Sequence, residues 1–94
     1  GVYTVGDILL YFPRDYEKKM KHILVKFDQA DQIINFVRII NRYSYDADVK
    51  CGSRVVDAKS VVGVLSLAKS KTVELILHTD ECDALLEEIA PYAA

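Results

Sequence analysis

Four short segments of the chain have the pattern of half-buried β-strands. They are rich in branched and aromatic residues, and in most of them apolar residues occupy every second position. The predicted strands cover residues 22–27, 45–51, 54–57 and 72–77. Gly52 and Ser53 separate the second strand from the third, and this pair is typical of the tight turn in a β-hairpin.

A different period, with apolar residues three or four positions apart, predicts a helix between the first two strands. Asp28 is the expected N-cap of this helix, Asp31 lies in its first turn, and the helix is expected to run to about Tyr43. The residues expected on its buried face are Ile33, Phe36, Val37, Ile40 and Tyr43, with Ile34 and Ile39 widening that face.

Two further helices are predicted in the second half of the chain. Ser60 is placed to cap a short, very apolar helix that ends near Leu67. Asp80 is the expected N-cap of the last helix, which Pro91 ends. The expected core-facing residues of that last helix are Cys82, Leu85, Leu86 and Ile89. The element order β-α-β-β-α-β-α therefore predicts an α+β fold in which helices cover one face of a mostly antiparallel sheet.

Residues 1–19 differ from the rest of the chain. They are rich in tyrosine, and Thr4 could cap a short helix that continues through Phe12 and ends at Pro13. A self-contained pattern of strands and helices follows from Met20 onward. The sequence therefore predicts an N-terminal extension over 1–19 and one domain over 20–94.

Composition narrows the possible functions. The 94 residues suffice for one domain, and a net charge of −2 argues against nucleic acid as the main partner. No apolar run approaches the roughly 20 residues that span a membrane. Cys51 and Cys82 lack the spacing of metal ligands and are expected to be reduced thiols of a cytoplasmic protein. We expect no metal and no cofactor, and the oligomeric state and the role of the two cysteines stay open.

The segment from Val56 to Leu67, VDAKSVVGVLSL, resembles the Gram-positive version of the HPr phosphocarrier family. The similarity covers Met20 to about Pro91 and includes Asn35-Phe36-Val37 in the first helix. It implies an open-faced β-sandwich, with four antiparallel strands and three helices on one side. It also implies work in the bacterial sugar phosphotransferase system or in its regulation.

Members of that family carry a phosphoryl group on a histidine at the start of the first helix, followed by an arginine and a proline. The corresponding residues here are Gln29, Asp31 and Gln32. Glutamine has no nucleophilic ring nitrogen, and Asp31 places a negative charge where a cation would hold phosphate. His22 and His78 belong to strand ends, so we expect neither phosphoryl transfer nor enzymatic activity.

The chain is more similar to the histidine-less, catabolite-repression-like paralogues. That similarity implies that Ser60 is a regulatory phosphorylation site and that an exposed apolar face, formed by Val61, Val62 and Leu65, docks partners. The implied partners are an HPr-type serine kinase and a transcriptional regulator or metabolic enzyme. From the residues alone, a plain N-cap is the favoured account of Ser60, whereas the apolar residues fit core packing and docking about equally well.

Two other interpretations stay open. One is an active phosphocarrier that uses a different residue. The other comes from residues 1–17, which resemble the start of the wedge domain of RecG-type helicases and suggest an interaction module attached to a DNA-repair helicase. Because this segment holds no ATP-binding loop, we expect 1–19 to be a fragment or gene-boundary artefact without helicase activity.

Overall fold

The computed structural model describes residues 2–5, 8–11, 20–68 and 72–94. The described elements are β1 (Val2–Val5), β2 (Ile8–Tyr11), β3 (Lys21–Lys26), α1 (Ala30–Ile40), β4 (Ala47–Cys51), β5 (Arg54–Asp57), α2 (Val61–Ala68), β6 (Thr72–Leu77), α3 (Asp83–Ile89) and a short 3-10 helix (Ala90–Tyr92).

Strands β3 to β6 form one antiparallel sheet in the spatial order β3-β6-β4-β5. The central register aligns Val49 with Leu75 on one side and with Val56 on the other. Alternate strand residues are buried against apolar residues of α1, α2 and α3, in a single core. The predicted α+β fold, with four antiparallel strands and three helices in the predicted order, is confirmed.

Strands β1 and β2 pair with each other in a separate two-stranded sheet. Val5 pairs with Ile8 and Val2 pairs with Tyr11. The helix predicted from Thr4 through Phe12 is therefore wrong over the described residues, and its expected end at Pro13 lies outside them. The sequence signal for a hairpin was present, because Gly-Asp between two apolar runs is a common two-residue connection.

Helix α1 begins one residue later and ends earlier than predicted. Gln29 is its N-cap, with extended dihedral angles (φ −138°, ψ 156°), so Asp28 lies outside the helix. Its buried residues are Ile33, Phe36, Val37, Ile39 and Ile40. Ile34 is 41% exposed and does not widen the buried face. Tyr43 lies beyond the helix and is half-buried, because the chain turns after Asn41 towards β4.

Helix α3 also starts later than predicted. Its N-cap is Cys82, which makes no side-chain capping bond, and Asp80 precedes it by two residues. The Thr79 hydroxyl accepts the backbone N–H of Glu81 at 3.1 Å, so the chain is still turning where the helix was expected to begin. Cys82, Leu85 and Ile89 are buried as predicted, and Leu86 is half-buried against the core. Both cysteines are free thiols.

Candidate functional site

At the amino end of α1, the Gln32 side chain hydrogen-bonds the backbone just before the helix. The Gln32 carboxamide oxygen accepts the backbone N–H of Asp28 at 2.6 Å and that of Gln29 at 3.2 Å. The Gln32 backbone N–H donates to the Gln29 carbonyl at 3.2 Å. Asp31 lies exposed in the first turn. Free N–H groups at a helix start can bind phosphate. Here Gln32 occupies two of the nearby donors and Asp31 would repel an anion.

The two histidines of the sequence lie elsewhere. His22 is in β3, and its Nδ1 is 2.6 Å from a carboxylate oxygen of Glu74. His78 directly follows β6, and its Nε2 is 2.7 Å from a carboxylate oxygen of Asp48. Their predicted location at strand ends is confirmed. Neither imidazole is placed at a helix start, where backbone N–H groups could stabilise a phosphoryl group.

Ser60 caps helix α2, as predicted. Its hydroxyl oxygen accepts the backbone N–H of Gly63 at 3.1 Å, and its carbonyl accepts the N–H of Val64 at 3.0 Å. The side chain is half-buried at the start of a helix eight residues long. A group attached to this oxygen would lie at the positive end of the helix dipole, which favours negative charge.

The loop before Ser60 is tied to the carboxyl end of α1. The Asn41 side-chain amide donates to the Lys59 carbonyl at 3.1 Å and to the Val37 carbonyl at 2.9 Å. The Lys59 ammonium donates to the Tyr43 carbonyl at 2.8 Å, and the Lys59 backbone N–H donates to a carboxylate oxygen of Asp57 at 2.9 Å. Sequence reasoning missed Asn41 and Lys59 as positioning residues for Ser60, because nothing in the sequence links positions 16 or more residues apart.

The three apolar residues expected on a docking face differ in exposure. Val62 is 78% exposed, the largest value among the exposed large apolar side chains of the described chain. Val61 and Leu65 are half-buried and pack against the core, while Val64 and Leu67 point into it. Of the three, Val62 is therefore the side chain most available to a partner in this structure.

A cluster of polar side chains that sequence reasoning did not single out joins the turn after α1 to α3. Glu88 accepts hydrogen bonds from the Arg42 guanidinium and the Tyr43 hydroxyl. The bond to Glu88, together with burial, raises the pKa of Tyr43. Burial raises the pKa of Tyr45 to about 12 and also raises the pKa of the Cys82 thiol. These shifts favour the neutral phenol and thiol forms over the phenolate and thiolate.

The described residues contain no group of three or more His, Cys, Asp or Glu side chains placed to hold a metal ion. No helix in this part of the chain combines the length and apolar character needed to cross a membrane.

Comparison with known proteins identifies the family. The family model for the PTS HPr component phosphorylation site matches residues 29–94. The chain is similar to the crystal structure of a phosphocarrier protein HPr from Bacillus anthracis str. Ames, with 23% identity and a TM-score of 0.61 over 81% of this chain and 96% of that one. It is also similar to the crystal structure of HPr-C-His from Thermoanaerobacter tengcongensis, with 22% identity and a TM-score of 0.60 over 78% of this chain and 88% of that one. None of the curated proteins compared matches the chain.

The family model covers well over half of the chain, and the two solved structures share its fold. This protein belongs to the HPr family of phosphocarrier-type proteins of the sugar phosphotransferase system. The family predicted from the segment around Ser60 is therefore confirmed.

Proposed function

We propose that this chain is a regulatory binding protein of the HPr family that does not carry a phosphoryl group on histidine and is not an enzyme. Phosphorylation of Ser60 switches its binding to partners. The observation that carries the first half is the amino end of α1, where Gln29 is the N-cap and Asp31 is in the first turn, while both histidines lie on or next to strands. An imidazole nucleophile is missing from the helix start where the family resemblance expects one.

The geometry of Ser60 supports the second half. A phosphate on its oxygen would add a charge of about −1.5 to −2 at the positive end of α2, so the fold should accept it. The same charge would lie two residues from Val62, the most exposed apolar side chain of the predicted docking face. Partners that need an apolar surface would lose affinity, and partners that offer arginine would gain it.

The proposal assigns two kinds of protein partner in the bacterial cytoplasm. An HPr-type serine kinase would modify Ser60, and a transcriptional regulator or metabolic enzyme would bind one of the two forms. The docking face is Val61, Val62 and Leu65. In the unbound chain Val61 and Leu65 are half-buried and Val62 is exposed. A partner would therefore contact Val62 mainly, and Val61 and Leu65 through their exposed parts.

A phosphotransfer assay separates this proposal from an active carrier. The full chain would be incubated with labelled phosphoenolpyruvate and the first enzyme of the phosphotransferase system, with an HPr that has the histidine as positive control. We expect no acid-labile label on this chain. Label on His22 or His78 that disappears in His22→Gln or His78→Gln would overturn the proposal and establish the carrier function instead.

A kinase assay tests the switch. We expect incubation with ATP and an HPr-type serine kinase to add one phosphate, located at Ser60 by mass spectrometry. Ser60→Ala should abolish the modification. Ser66→Ala is the matched control, because Ser66 is an exposed serine of the same helix whose hydroxyl donates to the Gly63 carbonyl at 2.7 Å. Modification of Ser66 with an unmodified Ser60 would contradict the assignment.

We also propose that residues 1–19 are an extension that the domain of 20–94 does not need for folding. The separate pairing of β1 with β2 and the family match over residues 29–94 support this division. Chains with and without residues 1–19 should have equal unfolding midpoints in urea. A large loss of stability on removal of residues 1–19 would instead show that this segment folds together with 20–94 as one unit. That result would favour the alternative of an interaction module attached to a helicase.

A further inference from the structure

One face of the sheet is covered by none of the helices in the described part of the chain. Its antiparallel register places four side chains in one row across the sheet, because Leu24 pairs with Glu74, Glu74 with Lys50, and Lys50 with Val55. Alternation along each strand puts these residues on the face opposite the core. The row therefore runs apolar, acidic, basic, apolar from β3 to β5.

The two ends of this row are unusually exposed for large apolar residues. Leu24 is 56% exposed and Val55 is 53% exposed, and they lie on the two outer strands of the sheet. Glu74 and Lys50 lie between them on the two inner strands. These two side chains expose apolar surface at the two edges of a polar centre, and contact with a second molecule would remove that surface from water.

The row reads apolar, acidic, basic, apolar, and in the opposite direction it reads apolar, basic, acidic, apolar. A second copy laid on it in the opposite direction would therefore place an opposite charge against each charge. A two-fold axis parallel to the strands and midway between β6 and β4 would turn a second copy face to face with the first. It would place Leu24 against the partner's Val55 and Glu74 against the partner's Lys50, each contact occurring twice. The geometry points to a symmetric dimer of this chain, formed by the uncovered sheet faces and specified by these reciprocal apolar and charged contacts.

The neighbouring row supports the same arrangement. It contains His22, Ile76, Asp48 and Asp57, aligned by the pairing of His22 with Ile76, Ile76 with Asp48, and Asp48 with Asp57. The same axis places His22, whose Nδ1 is 2.6 Å from a carboxylate oxygen of Glu74 in its own chain, against the partner's Asp57, where the other ring nitrogen can donate a hydrogen bond. Ile76 meets the partner's Asp48, a carboxylate that is already paired with His78. Neither row brings two like charges directly together across the axis.

The size of the face sets the strength of the association. Strands about 4.8 Å apart give a width of about 14 Å from β3 to β5, and strands of up to six residues at about 3.3 Å per residue are about 20 Å long, so the face covers roughly 300 Å². This area is smaller than the roughly 800 Å² per partner of a stable interface. The dimer is accordingly weak and depends on protein concentration. Salt weakens it further, because the central contacts are exposed ion pairs.

Charge reversal in separate chains tests the dimer. Sedimentation velocity of the full chain, from about 10 μM to about 1 mM, should show a concentration-dependent dimer. Lys50→Glu alone and Glu74→Lys alone should each weaken dimerisation by about tenfold or more, because each homodimer then has two repulsive contacts. An equimolar mixture of the two variants should form a heterodimer, since it restores an opposite charge at both contacts.

The equimolar mixture of the two variants distinguishes a contact between chains from a loss of stability within each chain. Lys50 and Glu74 are also neighbours in the same sheet, but mixing cannot repair a fault within a chain. Arg38→Glu and Glu87→Lys are the matched controls, since they make the same changes of charge at exposed positions of α1 and α3. A chain that stays monomeric throughout, control variants that dissociate equally, or a mixture that stays monomeric would each overturn the proposal. None of these results depends on Ser60 or on the phosphotransfer assay.

Discussion

At the scale of single residues, Tyr43 and Tyr45 pack together with ring centroids 5.7 Å apart but differ in what their hydroxyls contact. The Tyr43 hydroxyl donates to Glu88. The Tyr45 hydroxyl is buried and has no hydrogen-bond partner among the described residues. Burial favours the neutral phenol and raises the pKa of Tyr45 from 10.0 to about 12.

This raised pKa predicts how stability depends on pH. The unfolded chain loses the Tyr45 proton near pH 10 and the folded chain only near pH 12, so the free energy of unfolding should fall between these values. Below pH 10 the contribution is fully present. Tyr45→Phe should remove this part of the decline, as measured by urea unfolding at a series of pH values.

Stability at pH 7 gives a second test of the Tyr45 hydroxyl. Tyr45→Phe should leave stability within about 0.5 kcal/mol of the original or raise it, because it removes an unpaired buried hydroxyl. Tyr43→Phe, the matched variant, should lower stability, because Glu88 loses a donor. Equal losses from both substitutions would mean that the Tyr45 hydroxyl is paired.

At the scale of elements, the β4–β5 hairpin depends on one glycine. Gly52 has φ +63°, in the left-handed region that favours glycine, and nothing lies within 4 Å of the position its Cβ would occupy. Gly52→Ala should therefore cost about 1–2 kcal/mol through backbone strain alone. Urea unfolding measures the loss, and Ser53→Ala, next to it in the turn, should have almost no effect. A neutral Gly52→Ala would show that the turn adopts another conformation.

At the scale of the whole molecule, the carboxyl end of the chain returns to β3 and α1. Tyr92 packs on Phe27 and Phe36, with centroids 5.6 Å and 5.9 Å away, and the Asn35 amide donates to its hydroxyl at 2.6 Å. The backbone N–H of Ala94 donates to the Leu24 carbonyl at 2.9 Å. This segment therefore joins α3 to β3 and α1.

Removing this contact should destabilise the whole domain. Tyr92→Ala should lower the free energy of unfolding by about 2 kcal/mol, because a half-buried ring loses its packing. Tyr92→Phe keeps the ring and loses only the bond with Asn35, so about 1 kcal/mol or less is expected. Urea unfolding compares the two, and similar losses would show that the hydroxyl, rather than the ring, holds the segment.

Periodicity predicted most of the fold because it is a local property. The alternation of Val73, Leu75 and Leu77 and the helical spacing of Ile33, Phe36 and Ile40 were confirmed as buried faces. Helix starts were harder to predict. Asp28 and Asp80 are good capping residues, but Gln29 and Cys82 hold those positions because nearby turns decide where each helix begins.

The sequence by itself determined the chemistry available: a glutamine and an aspartate at the start of the first helix, a serine before the second, and strands that bury every other residue. These follow from residue identity and from the repeat of each element, which neighbouring positions set. Only the tertiary structure decided that Asn41 and Lys59 brace the loop at Ser60, that Val62 is more exposed than Val61, and that Leu24, Glu74, Lys50 and Val55 share one row. Such contacts join distant positions, and they exist only once the strands and helices have packed.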